Sequence, residues 1–110
     1  MNKKNVVKKN WEFQNIISHR KQFVSKYVII YYEPHDSFQV GISIPKAFAN
    51  ACTRNKFKNQ IRHIIRKNDF LDIKARTIII VRKDFFLIDF AKKELEIKKL
   101  YERIRNVLQK

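Results

Sequence analysis

At Pro45 the spacing of apolar residues changes from two to nearly four, and that switch limits the folds open to the chain. Before it, Phe38, Val40, Ile42 and Ile44 alternate with Gln39, Gly41 and Ser43, the period of a strand with one buried face and one small or polar face. After it, Phe57, Ile61, Ile64 and Ile65 fall at i, i+4, i+7 and i+8 within Thr53 to Lys67, a stripe along one side of a helix. A third apolar run, Thr77 to Val81, reads as another strand. The helix is the only connection between strands long enough for a parallel crossover, so a βαβ unit is expected.

The flanking segments extend this unit at both ends. Asn10 suits an N-cap for a helix running to about His19, with Phe13, Ile16 and Ile17 on one face. Val24 to Glu33 is rich in Val, Ile and Tyr, and Pro34-His35-Asp36-Ser37 reads as a turn leading into Phe38 to Ile44, the two runs forming a long hairpin. From about Ala91 to Leu108 the helical period returns, placing Leu100, Ile104, Val107 and Leu108 inward. The expected order is αββαβα, with room for one further short strand. We therefore expect one two-layer α+β domain over residues 1–110, with a sheet of about four strands packed by helices and residues 1–8 flexible.

Charge selects the partners. The 110 residues carry 25 Lys+Arg against 10 Asp+Glu, a formal net charge of +15, while 45% of the chain is hydrophobic. So much apolar material belongs to a folded domain rather than a basic tail, and basic residues interleaved with aromatics favour a polyphosphate chain over a lipid surface. The single glycine, Gly41, rules out Gly-rich phosphate loops and dinucleotide fingerprints. The lone Cys52 supplies neither a disulfide framework nor a zinc ligand set and points to a reducing cytoplasm. No apolar run approaches the ~20 residues of a membrane span, and Lys8-Lys9 follow Val6-Val7 too closely for a signal peptide.

On the helix after Pro45, Asn55, Asn59, Arg62 and Arg66 lie opposite the apolar stripe, with Lys58 at one edge and Lys56 and His63 towards the other. Clustered cations of this kind neutralise phosphates and release condensed counterions from RNA. Arg54 and Arg62 offer planar forks to phosphate oxygens, Lys56 and Lys58 act as point charges, and Asn55 can bond backbone or base edges. The plainer reading is a merely solvated helix face.

The run from Lys46 to Arg66 resembles the signature of the bacterial ribonuclease P protein subunit. Lys46, Asn50, Ala51, Arg54, Asn55, Lys58, Ile61 and Arg62 match that pattern in place, and Lys8 to Phe13 is similar to the family's entry into its first helix. The departures are Ala49 where the family has Gly, Lys56 for the last Arg of Arg-Asn-Arg, Asn59 for the second base of Lys-Arg, His63 where an acid is common, and Pro45 before Lys46 where a small polar residue is usual. The resemblance covers nearly the whole chain. It implies a domain that binds the catalytic RNA of ribonuclease P through Lys46, Asn50, Arg54, Asn55, Lys56, Lys58, Arg62 and Arg66. It also implies a cleft for the single-stranded 5′ leader of precursor tRNA, onto which Phe13, Ile17 and Tyr31 align. The alternative for these three is ordinary core and strand packing.

A protein nuclease would need clustered carboxylates for metal ions or a His pair for acid and base work. Asp69, Asp72, Asp84 and Asp89 read as loop residues, Glu94, Glu96 and Glu102 as solvated helix charges, and His19, His35 and His63 fall on separate elements. No catalytic or metal-binding residue is expected in the protein. The resemblance implies instead an accessory subunit whose RNA carries the active site with Mg²⁺, working without a membrane or a protein partner. The rival readings are a structural rRNA-binding or ribosome-assembly protein, which shares the composition without needing the Lys46 to Arg66 spacing, and a self-sufficient nuclease.

Overall fold

The computed structural model describes residues 21–68 and 70–108. The helix expected from Asn10 to His19, with Phe13 and Ile17, lies outside these residues. Strands β1 (Gln22–Val24), β2 (Val28–Pro34), β3 (Gln39–Ser43) and β4 (Ala75–Val81) form a four-stranded sheet in the order β1-β2-β4-β3. Helix α1 (Ala51–Lys67) joins β3 to β4, and helix α2 (Phe90–Leu108) follows a 3₁₀ turn at Lys83–Leu87.

β3 and β4 are parallel neighbours joined by α1, which is the crossover that the change of period at Pro45 predicts. The apolar run expected as one strand from Val24 is broken at Ser25, whose hydroxyl oxygen accepts from the backbone N–H groups of Tyr27 and Val28 at 3.2 and 3.1 Å. The break makes β1 and β2 an antiparallel hairpin. The expected hairpin between β2 and β3 does not form, because β4 inserts between them and pairs with both. Strand composition alone is blind to this, since β4 lies more than thirty residues away and offers a longer apolar partner.

The pleat sorts the residues. Val28, Ile30 and Tyr32 of β2 pair with Val81, Ile79 and Thr77 of β4 and face Ile61, Ile64 and Ile65 of α1 and Ile97, Leu100 and Ile104 of α2 in one core. Each fully buried aliphatic side chain of this kind contributes roughly 1.5–3 kcal/mol. Leu100 and Ile104 are buried and Leu108 packs partly buried against the core, as the period requires, whereas Val107 is 44% exposed. Inside the core, Thr77 Oγ1 donates to the Gln39 carbonyl at 3.0 Å and lies 2.9 Å from the Tyr101 hydroxyl. The Thr77 proton being spent, Tyr101 is the donor of that second bond.

Both helix junctions are chemically capped. Asn50 Oδ1 accepts from the Thr53 N–H at 2.9 Å at the start of α1, and Asp89 accepts from the Lys92 N–H at 2.9 Å at the start of α2. At the end of α1 the Asn68 amide donates to Ile64 O and to Glu94, both at 2.9 Å, which ties this end to α2. That bond from Asn68, supported by Lys67, holds the Glu94 carboxyl below its ordinary range despite partial burial.

Candidate functional site

α1 carries no acid along its length, and its first turn in particular has none to offset the positive end of the helix dipole. The apolar stripe docks the helix and thereby fixes which residues look outward. Asn55, Lys56 and Arg66 are exposed, while Lys58 and Arg62 are half-buried along one edge. The Arg62 guanidinium is steadied by Asn59, whose side-chain oxygen accepts from Nη1 at 3.2 Å. Arg54 lies half-buried one turn below Lys58, and its Nε is shielded from solvent with no hydrogen-bond partner. Lys46 is exposed in the turn after β3. Asn50 is exposed too, but its side-chain oxygen is committed to the helix cap, leaving only its NH₂ group for a ligand.

A second surface is the face of the sheet turned away from α1 and α2. The register sets Gln22, Tyr31, Ile78 and Gly41 in one row across all four strands, with Glu33, Arg76 and Gln39 in the next. Tyr31 is half-buried in this row, beside the fully buried Ile78 and the buried Gly41. Arg76 donates from Nε to Gln39 at 3.0 Å and from Nη1 to Glu33 at 3.4 Å, so the row below Tyr31 is polar and braced. Sequence reasoning singled out Tyr31 and passed over Arg76, Gln39 and Gln22. The signal was the alternation of β4, in which Arg76 falls two residues from Ile78 and therefore on its face. Phe13 and Ile17, the other residues expected at this surface, lie outside the described residues.

No group of three or more His, Cys, Asp or Glu side chains among the described residues could hold a metal ion. Among the same residues, no helix is long and apolar enough to cross a membrane.

The family model for ribonuclease P matches residues 1–105. The chain belongs to the ribonuclease P protein family. It is 47% identical over 110 residues to the ribonuclease P protein component of Mycoplasma mobile, covering 100% of this chain and 98% of that relative. Against the ribonuclease P protein component of Mycoplasmopsis pulmonis the identity is 44%, over 94% of this chain and 95% of the relative. Among solved structures, the ribonuclease P protein from Thermotoga maritima superposes with a TM-score of 0.80 at 24% identity, covering 88% of this chain and 94% of its own, a likeness of fold. The ribonuclease P match spans the basic helix and the Tyr31 strand alike.

Proposed function

We propose that the basic face of α1 grips the RNA of ribonuclease P while the sheet face at Tyr31 receives the 5′ leader of precursor tRNA. The chain is a ribonuclease P protein component, part of an endoribonuclease holoenzyme that processes tRNA 5′ leaders. Its RNA contacts are Lys46, Asn55, Lys56, Lys58, Arg62 and Arg66, with Arg54 beneath them and Asn50 both capping the helix and donating from its amide. The observation that carries this reading is a docked helix of seventeen residues bearing Arg and Lys and no carboxylate. Like charges so concentrated repel one another, and a polyanion laid against them relieves that repulsion.

Bond breaking belongs to the RNA in this reading. The Mg²⁺ ions that the reaction uses are held by RNA phosphates in the same reading. The protein screens repulsion between two RNAs and gives the leader a surface, an unpaired base stacking on the Tyr31 ring in a sequence-tolerant way. It works in the cytoplasm, where an exposed thiol such as Cys52 stays reduced.

Filter binding to a bacterial ribonuclease P RNA across a salt series tests the grip. Arg62→Ala should weaken binding and reduce the slope of log K against log salt by about 1, as the loss of one phosphate contact requires. An unchanged slope together with unchanged affinity would remove Arg62 from the interface.

A further inference from the structure

Away from the sheet face, apolar side chains are displayed at the entry to α1. Phe48, in the turn between Lys46 and the Asn50 cap, is 42% exposed, and Leu87, at the end of the 3₁₀ turn, is 79% exposed. Phe86 joins them, its ring 6.1 Å from Phe48 at 72° and 4.9 Å from Phe57 at 88°. Phe57 and the fully buried Phe85 form a floor that the Lys93 ammonium fastens from within, 4.1 and 5.1 Å from the two ring centroids. The patch is therefore held rigid from below, and its outermost members are the ones left to solvent. Burying Phe48 and Leu87 would be favourable, yet nothing among the described residues covers them.

The surroundings select what does. Lys46, Arg82 and Lys83 are exposed in the two segments that carry the patch, and the acid of the 3₁₀ turn, Asp84, is 3.8 Å from Lys26. A ring rimmed by cations suits a base with its phosphate, whereas a second copy of a chain charged +15 would be repelled. Phe48 is also flanked in the chain by Lys46 and Asn50, two of the residues proposed to contact RNA. We infer that Phe48, Phe86 and Leu87 form a docking platform for an unpaired nucleotide of the ribonuclease P RNA, distinct from the leader surface at Tyr31. This inference rests on the RNA reading of α1 and adds a stacking contact to its electrostatic one.

The test is the affinity of the full chain for a bacterial ribonuclease P RNA without precursor tRNA, measured across a salt series for Phe48→Leu, Leu87→Ser and Arg62→Ala. Phe48→Leu removes a ring from a half-exposed position and should cost about fivefold or more in affinity, the lower end of one stacked base, with no change in salt slope. Leu87→Ser should weaken binding in the same slope-neutral manner, and matched thermal unfolding curves establish that both variants are folded. A photo-crosslinker attached at Leu87→Cys, in a Cys52→Ser background, should map to an unpaired nucleotide.

Unchanged affinity for Phe48→Leu and Leu87→Ser while Arg62→Ala binds weakly would overturn the platform and leave the RNA reading standing. Absence of binding by the unmodified chain would overturn both. Crosslinks confined to RNA double helices would also remove the platform. So would concentration-dependent dimerisation of the unmodified chain abolished by Leu87→Ser, which assigns the patch to a second copy.

Discussion

The Lys93 ammonium stands 4.1 Å from the centroid of the Phe57 ring and donates to the Gln60 side-chain oxygen at 3.2 Å, so one cation on α2 binds two residues of α1. The lysine is only 5% exposed, and burial lowers its pKa below the ordinary value of 10.5, with Lys56 adding to the effect and Asp89 opposing it. The folded state thus holds this proton less tightly than the unfolded chain. Stability contributed at this site rises with pH once the folded pKa is passed and levels off above 10.5.

Urea unfolding of the native chain and of Lys93→Met at pH 7 to 10.5 checks this. The difference in favour of the native chain should widen as pH rises, because methionine carries no proton to lose. Lys93→Ala at pH 7 should be about 2 kcal/mol less stable than the native chain, having lost both the cation over the rings and the packed methylene stem. A difference that stays flat with pH would mean that the ammonium is as well solvated when folded as when unfolded.

Tyr101 and Thr77 give a second stability prediction. The Tyr101 hydroxyl is fully buried, which pushes its pKa up and keeps it protonated as the donor to Thr77. Tyr101→Phe removes that donor yet leaves Thr77 bonded to the Gln39 carbonyl, and should cost about 1 kcal/mol. Thr77→Val strands the buried Tyr101 hydroxyl and takes the Thr77 donor from the Gln39 carbonyl, and should cost about 2–3 kcal/mol. Equal losses in denaturant unfolding would show that the two bonds are not chained in this order.

Asn50 separates capping from RNA contact. Asn50→Ala should lower stability by about 1 kcal/mol through loss of the bond to the Thr53 N–H. Asn50→Asp keeps a good cap and should hold stability within about 0.5 kcal/mol, yet it puts a negative charge on the face proposed for RNA. Thermal unfolding and RNA titration on the same samples should therefore give a stable protein with weakened binding. If Asn50→Asp binds RNA as well as the native chain, the start of α1 lies outside the interface.

Local periodicity made much of this molecule legible. The stripe Phe57, Ile61, Ile64, Ile65 fixed the buried side of α1 and with it the exposed Asn55 and Arg66, and the helix between two apolar runs announced the parallel β3–β4 pair. Pairing order was hidden, because β4 displaces β3 from β2 by virtue of contacts distant in sequence. The Ser25 break was hidden too, since a serine flanked by Val and Lys carries no strong turn signal until its hydroxyl is seen bonding Tyr27 and Val28. The alternation of β4 places Arg76 on the Tyr31 face, but its bond to Gln39 joins residues thirty-seven apart and depends on the pairing of β3 with β4. The exposure of Phe48 and Leu87 likewise depends on what fails to pack over them, which spacing does not encode.

In the function proposed for this chain, a cationic helix holds an RNA that does the cutting while the sheet face of Tyr31 holds the leader. The most direct measurement is 5′ processing of precursor tRNA by a bacterial ribonuclease P RNA at low Mg²⁺, with and without this chain, using long-leader and one-nucleotide-leader substrates. The native chain should accelerate processing, the chain alone should cut nothing, and Tyr31→Ala should lose selectively the advantage of the long leader by a factor of about 5 or more. Cleavage by the chain in the absence of RNA, or no acceleration in its presence, would contradict the account.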